Sequence, residues 1–315
     1  MRIAMMGAGG VGAYFAVMLD GRGHEIVLID RDEHAHALAR TGVVVRSRSR
    51  GELRATLPAT DDPRSVGPVD LVLYAVKTYD NAAAIASMAP LVGPSTTIVT
   101  LQNGVGNVEL LAAAYGEAAV LGGPMVGGGT RVAPGEVEHV LPPESEYVDV
   151  GALLPASRAR AELVRDVLAP TGMRVNVVGD VQTTLWKKLL AMASLASVGC
   201  LTRSITADWR AKPSTRDLYA RLVREAAEVG QAEGLAIDDA AVEATLGQPD
   251  KLGPAHRTSM AADLDRGQRL EVDAIQGEIV RRARRHGIAA PAFEVANAVL
   301  QYADARAALG PARAP

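Results

Sequence analysis

Residues 1–16 read MRIAMMGAGGVGAYFA, and this stretch decides how the rest of the chain is read. The apolar run Arg2 to Met6 predicts a short strand, and Ala13 to Leu19 predicts a helix. Between them, Gly7-Ala8-Gly9-Gly10-Val11-Gly12 fits G-x-G-x-x-G. The pattern alone is weak, but a strand before it and a helix after it make it a dinucleotide fingerprint. Gly7 permits the tight turn, Gly9 lets the backbone approach a pyrophosphate, and Gly12 lets helix and strand pack closely. The first N–H groups of the helix then face the anion. Gly7, Ala8, Gly9, Gly10, Val11 and Gly12 are therefore the candidate cofactor-binding loop. The competing reading is a glycine-rich turn that binds nothing.

Working outward, Glu25 to Ile29 reads as a second strand ending at Asp30, 18 residues after Gly12. An acid there suits the ribose 2′-hydroxyl of NAD, whereas Arg31 suits the 2′-phosphate of NADP. The residues alone leave that conflict open. Further strands are predicted at Val43 to Arg46, near Leu53 to Leu57, at Asp70 to Val76 and at Thr96 to Leu101. Helices are predicted at Asn81 to Met88 and Val108 to Tyr115. Apolar strands alternating with helices mean a parallel sheet covered on both faces. From Val120 to Val150, glycines and β-branched residues predict antiparallel or mixed strands extending the same sheet. Helix is expected over Ser157 to Leu168 and strand over Arg174 to Val178. Beyond Gly179 the pattern is helical, over Val181 to Leu195, Ser214 to Glu233, Pro254 to Asp265, Arg269 to His286 and Pro291 to Leu309. The fold expected is α/β, a doubly wound sheet in residues 1–179 and an all-helical domain in residues 180–315. The tail 310–315 is expected to fray.

Composition narrows the function. The chain has 315 residues, 48% hydrophobic and 22% charged, a globular balance with room for about two domains. A net charge of −3 argues against a dedicated nucleic-acid or membrane-surface binder. The basic run Arg281 to His286 lies at a helix end, where cations complement the dipole, and lacks interleaved aromatics. The single cysteine, Cys200, rules out an internal disulfide and a multi-cysteine metal site. The six histidines show no ligand spacing, so no metal is expected. Neither an export signal nor a membrane span is read, and the expectation is a cytoplasmic protein.

Ligands of a doubly wound sheet sit beyond the carboxyl ends of its strands. Lys77 and Asn103 fall there. Each is either a cofactor or substrate contact or, more plainly, a solvated lysine and a turn-forming Asn-Gly. Five glycines between Gly122 and Gly129 point to a close backbone approach near the cofactor. In the helical half, Lys188 adjoins an apolar stripe of Leu185, Leu189, Met192 and Leu195. Such a wall disfavours the charged amine and suits a proton donor, although a lysine snorkelling from a core edge reads the same. Glu271 and Asp273 near a helix start suit its dipole; a carboxylate beside Lys188 would also hold the ammonium.

Together these pieces resemble the ketopantoate reductase (2-dehydropantoate 2-reductase) family. The resemblance rests on MRIAMMGAGGVGAYFA, GHEIVLIDR, DLVLYAVKTYD, TLQNGVGNVE, APGEVEH, LWKKL and TSMAADLDRGQRLEVDAIQGEIVRRARRHGIAAP, which spread from Met1 to Pro291. It implies a Rossmann domain followed by a helical substrate domain, with the active site between them. The activity implied is NADPH-dependent reduction of a small 2-oxo acid, 2-dehydropantoate to pantoate in coenzyme A precursor synthesis. Lys188 falls on the catalytic lysine and Glu271 on the acid that supports it and the substrate. Ser259 falls on a substrate-holding serine, and Asn103 and Lys77 on residues lining cofactor and substrate. Arg31 falls on the arginine facing the 2′-phosphate, which favours NADP, while Asp30 keeps NAD in view. The chain departs from the family where two pantoate-binding asparagines fall on Met192 and Ala196. That loss of polar partners, about 1–3 kcal/mol each, opens a second reading: the same chemistry on a less polar carbonyl compound. A non-catalytic NADP-binding sensor is a third, opposed by the retained Lys188 and Glu271. A small-molecule substrate and a homodimer through the helical domain complete the expectations.

Overall fold

A computed structural model describes residues 1–309; the tail expected to fray, 310–315, lies outside the described residues. The chain divides into two compact units, one of Met1–Gln102 with Asn107–Thr184, the other of Asn103–Gly106 with the chain from Leu185 onward.

In the first unit the strands are β1 (Arg2–Met6), β2 (Glu25–Ile29), β3 (Val43–Ser47), β4 (Gly51–Ala55), β5 (Ala59–Thr60), β6 (Leu71–Tyr74), β7 (Thr97–Thr100), β8 (Val120–Gly122), β9 (Met125–Val126), β10 (Thr130–Ala133), β11 (Glu136–His139), β12 (Tyr147–Ala152) and β13 (Arg174–Val178). The helices are α1 (Gly10–Leu19), α2 (Asp32–Thr41), α3 (Asn81–Ser87), α4 (Gly106–Tyr115) and α5 (Arg158–Leu168). The main sheet runs β13-β12-β8-β7-β6-β1-β2-β5, with β9 paired to β12. From β8 to β5 it is parallel, and β1 sits at its centre, Ile3 opposite Ile26 of β2 and Leu71 of β6. The order steps outward from β1 on both sides, which is the doubly wound Rossmann arrangement.

The region 120–150 corrects the sequence reading. Only β8, β9 and β12 extend the main sheet, with β12 antiparallel to β8 and β9. β10 and β11 instead join β3 and β4 in a separate four-stranded sheet, ordered β10-β11-β3-β4. α1 packs against strands of both sheets, so it is buried from Gly12 to Leu19 and apolar on every side. α2, for which the sequence reading assigned nothing, covers β2 and β5 and buries His34, Ala35, Ala37 and Leu38.

The second unit is helical: α6 (Val181–Thr202), α7 (Thr206–Arg210), α8 (Pro213–Ala232), α9 (Asp239–Leu246), α10 (Gln248–Lys251), α11 (Ser259–Asp265), α12 (Glu278–His286) and α13 (Pro291–Ala308), with a π turn over Asp273–Gly277 leading into α12. α6 is longer than the sequence reading gave. By length and composition it is able to cross a membrane, yet 67% of its most apolar window is buried inside the protein, as in a core helix. Trp186 of α6 is buried and donates Nε1–H to the Ala226 carbonyl at 2.9 Å. A β-carbon on Gly230 would lie 2.2 Å from that nitrogen, so only glycine fits.

Two predicted helix starts move. The helix expected from Pro254 begins at Ser259, because Thr258 caps it by accepting the Ala261 N–H at 3.3 Å. The helix expected from Arg269 begins later, because Asp304 of α13 accepts the Leu270 N–H at 2.7 Å and pairs with Arg269 at 3.1 Å. Glu271 therefore precedes the helix. The basic run of α12 is matched by acids: Arg281 pairs with Asp273 at 2.6 Å, Arg284 with Glu294 at 3.3 Å, and Arg282, Arg285 and His286 with Glu233. Burial works to raise the Glu233 carboxyl, but hydrogen bonds from His286 and Arg282 outweigh it and hold the group below its usual range.

Candidate active site

In the first unit the fingerprint loop has the shape its residues demand. Gly7 has φ +91°, and a β-carbon there would meet Val76 N at 2.8 Å. One on Gly12 would lie 2.1 Å from the Gly7 carbonyl oxygen, and one on Gly10 only 1.9 Å from that of Gly129. Gly129 also donates its N–H to the Gly10 carbonyl at 3.0 Å. The second glycine run thus packs against the start of α1. Gly9 differs: a β-carbon there would meet nothing within 4 Å. One face of the loop is open where the first turn of α1 presents its N–H groups, and no acidic residue lies in that turn. This open glycine face at a helix start fits a pyrophosphate.

At the end of β2, the Asp30 carboxylate accepts the Arg31 N–H at 2.8 Å and lies 3.9 Å from His34. His34 in turn reaches the Ala8 carbonyl at 3.0 Å, tying α2 to the loop. The Arg31 side chain is 65% exposed and pairs with Asp80 at 2.7 Å. Asp32, with φ +52°, turns the chain sharply just after Arg31. Lys77 is exposed just beyond β6.

Sequence reasoning missed a set of buried amides at the carboxyl ends of β6 and β7. Gln102 donates to the Val76 carbonyl at 2.6 Å and to Asn81 Oδ1 at 2.7 Å, Asn81 donates to Asn107 Oδ1 at 2.8 Å, and Tyr74 donates to Asn81 at 3.1 Å. Gln102 and Asn107 bracket the four residues, Asn103–Gly106, that belong to the second unit. Gly104 there has φ +95°. No motif marks these amides; only their place after apolar strands hinted at them.

In the second unit, half-buried Lys188 donates from Nζ to Asn103 Oδ1 at 2.8 Å. Asn103 lines a recess together with Met192, Ala196, Thr258, Ser259, Met260, Asp263, Glu271 and Ile275. Asn103, Ser259 and Glu271, named from the sequence, thus share one recess, and Asn103 holds the amine of Lys188. The glycine loop, Asp30, Arg31 and Lys77 belong to the first unit. Thr258, Met260, Asp263 and Ile275 were not anticipated, since a cap and core-like apolar residues carry no chemical signature. Ile275 reaches the recess from the π turn, an irregularity frequent at functional sites. Its neighbour Gln276 is fully buried and donates to Ser197 of α6 at 3.2 Å. Among the described residues, no group of three or more His, Cys, Asp or Glu is placed to hold a metal ion.

Comparison with known proteins identifies the family. Residues 3–152 match the family Ketopantoate reductase PanE/ApbA, and residues 180–303 match Ketopantoate reductase PanE/ApbA C terminal. A 2-dehydropantoate 2-reductase of Caulobacter vibrioides is 32% identical over 304 residues, 96% of this chain and 98% of that protein. The crystal structure of 2-dehydropantoate 2-reductase from Geobacter metallireducens GS-15 superposes with a TM-score of 0.88 at 30% identity, covering 96% of this chain and 100% of that one. A ternary structure of D-mandelate dehydrogenase with NADH and anilino(oxo)acetate gives a TM-score of 0.90 at 22% identity, covering 98% of this chain and 100% of that one, a likeness of fold. With family matches to both parts of the chain and relatives aligned over nearly all of it, this chain belongs to the ketopantoate reductase family, oxidoreductases that act on CH–OH groups.

Proposed function

We propose that this chain reduces a small 2-oxo acid to the 2-hydroxy acid with NADPH, residues 1–179 serving as the dinucleotide-binding domain and residues 180–315 as the substrate domain. The relatives named 2-dehydropantoate 2-reductase make 2-dehydropantoate the reference substrate. The observation that carries the reading is the 2.8 Å bond from Lys188 Nζ to Asn103 at a recess lined by Ser259 and Glu271.

When bound, the nicotinamide dinucleotide supplies the hydride that goes to the carbonyl carbon. Every other contribution comes from the chain. Gly7, Ala8, Gly9, Gly10, Val11 and Gly12 hold the pyrophosphate through backbone N–H groups. Arg31 faces the 2′-phosphate, and Asp30, folded onto the Arg31 N–H, leaves the guanidinium to do so. Lys77 and Asn103 contact cofactor and substrate. Lys188, aimed by Asn103, sets its ammonium against the carbonyl oxygen, stabilises the negative charge that develops there and transfers one proton from Nζ to it. The product is the neutral hydroxyl and a neutral amine, which solvent reprotonates. Glu271 supports the ammonium and accepts a hydrogen bond from substrate, and Ser259 holds the substrate in the recess.

The test is NADPH oxidation by the purified chain with 2-dehydropantoate and other 2-oxo acids, beside a Lys188→Ala variant. The variant is expected to lose at least about a hundredfold in kcat, the range of general-acid catalysis, while binding NADPH normally. Turnover near wild type in that variant refutes the assignment.

A further inference from the structure

The segment 270–276 carries two residues of the recess, Glu271 and Ile275, and side chains of other helices hold it at both ends. At its start, Asp304 of α13 accepts the Leu270 N–H at 2.7 Å. At its end, Gln276 lies fully buried inside the π turn, where the backbone leaves the α-helical hydrogen-bond register. Its Nε2 donates to Ser197 Oγ of α6 at 3.2 Å and to the weak acceptor Met260 Sδ of α11 at 3.6 Å. Each of these contacts is on or beside a residue of the recess: Met260 lines it and follows Ser259, Ser197 follows Ala196, and Gln276 follows Ile275. One amide thus joins the π turn, α6 and α11. Because α6 is unbroken from Val181 to Thr202, a segment pinned to it at Ser197 is also fixed relative to Lys188. Stability alone does not account for this amide. Its Oε1 is buried and meets no protein donor among the described residues, an arrangement that works against stability.

We infer that Gln276 is a positioning residue of the reduction, its amide holding the segment that bears Glu271 in register with α6 and α11. The inference rests on the reading of Lys188 and Glu271 as the catalytic pair. Gln276 touches neither substrate nor cofactor in this scheme. It acts through Glu271: with the amide in place, the carboxylate is presented to the ammonium and the oxo acid in one geometry. Without it, the segment keeps its anchor at Leu270 and loses the one at the π turn, and the carboxylate samples positions from which it supports neither. Small displacements of a catalytic group cost rate steeply. The nucleotide loop belongs to the first unit and is untouched by the change.

Gln276→Met tests this in the full chain. Methionine has a similar length and no amide, and Ser197 Oγ keeps its own bond to the Ala193 carbonyl at 2.7 Å, so the fold is expected to melt at or above the wild-type temperature. Steady-state kinetics are measured with NADPH on 2-dehydropantoate and the other 2-oxo acids. The kcat/KM for the oxo acid is expected to fall about tenfold, the value of one good hydrogen bond, with the KM for NADPH unchanged. The same substitution made in a Glu271→Ala background is expected to change kcat/KM by less than about twofold, because two residues acting through one contact are not additive. Should Gln276→Met misfold, Ser197→Ala removes the bond from the α6 side and is expected to give the same kinetic pattern. A folded Gln276→Met protein with wild-type kcat/KM overturns the inference, as does a full tenfold loss in the Glu271→Ala background, which marks a purely structural role. Both results leave the reductase reading intact. Absence of turnover by the wild type on every 2-oxo acid, in protein that binds NADPH by fluorescence, overturns the reductase reading and the inference with it.

Discussion

Arg31 and Asp30 pose the question of cofactor choice at the scale of single residues. Read as neighbours in a sequence, an acid and a base after β2 contradict each other over which ribose they accept. In the fold their side chains meet different partners: the Asp30 carboxylate accepts the Arg31 N–H, and the Arg31 guanidinium stands 65% exposed with Asp80 as its partner. That exposed pair contributes little to stability, so its arginine is at liberty to exchange a carboxylate for a phosphate. Arg31→Ala is therefore expected to raise the KM for NADPH about tenfold, the scale of one charge-assisted contact, and to leave the KM for NADH and the melting temperature close to wild type. Steady-state kinetics with both cofactors check it; an equal rise for both would remove Arg31 from 2′-phosphate recognition. The residue scale is also where the sequence was most informative. Asn103, Ser259, Glu271, Met192 and Ala196 were singled out by chemistry and resemblance, and they line one recess. Ile275 and Met260 beside them were not, because an apolar side chain lining a recess and one facing the core look alike in a sequence.

At the scale of elements, the parallel strands and long helices were legible because their apolar periods are strong, and the misses have local causes. α2 escaped notice because its sequence, DEHAHALART, is polar on most sides and buries only four residues. The break before α12 depends on Asp304, more than thirty residues downstream, which no local pattern contains. The second sheet depends on β11 pairing in parallel with β3, a contact across some ninety residues. The fingerprint illustrates the same limit. Its four glycines, three of the motif and Gly10 at a free position, look alike in sequence, yet Gly10 is glycine because the Gly129 carbonyl oxygen lies 1.9 Å from where its β-carbon would be, and Gly9 has open space there. The two substitutions should separate stability from binding. Gly10→Ala must push α1 and the 127–129 segment apart and is expected to cost about 1–3 kcal/mol of stability. Gly9→Ala, with a φ of −75° that alanine accepts, is expected to melt like wild type while its affinity for NADPH falls. Thermal denaturation and nucleotide titration of both variants check this; a stable Gly10→Ala would show that the two glycine runs do not need their close packing.

On the scale of a whole unit, a buried polar cluster that the sequence did not announce ties together the two sheets of the first. Glu146 is fully buried ahead of β12. Its carboxylate accepts the Tyr14 hydroxyl of α1 at 2.6 Å, His139 Nε2 of β11 at 3.1 Å and Arg50 Nη2 at 2.7 Å. Ser47 of β3 closes the set, its Oγ 2.9 Å from His139 Nδ1, and the Tyr14 and His139 rings stack at 4.6 Å. One carboxylate thus joins the helix, both sheets and the β3–β4 turn. Burial pushes the His139 imidazole below its ordinary range, although the Glu146 charge and hydrogen bond oppose that shift; Arg50 adds to it. Well above pH 6.5 the folded and unfolded chains both hold this imidazole neutral, and it contributes no pH dependence. Below about pH 6.5 the unfolded chain takes up a proton that the folded chain resists, so stability falls as the pH drops through that value, by at most about 1.4 kcal/mol per pH unit for one group. His24 and His256 are also held below their ordinary range by burial and add slopes of the same sign. His139→Gln keeps a side-chain N–H able to reach Glu146 but removes the titration. The variant is expected to be less stable than wild type at pH 7.5 and to close part of that gap by pH 5.5, with His24 and His256 contributing equally to both proteins. Urea denaturation of both at the two pH values measures the change. A gap that stays constant or widens toward acid would mean that His139 takes up its proton as readily in the folded protein as in the unfolded chain.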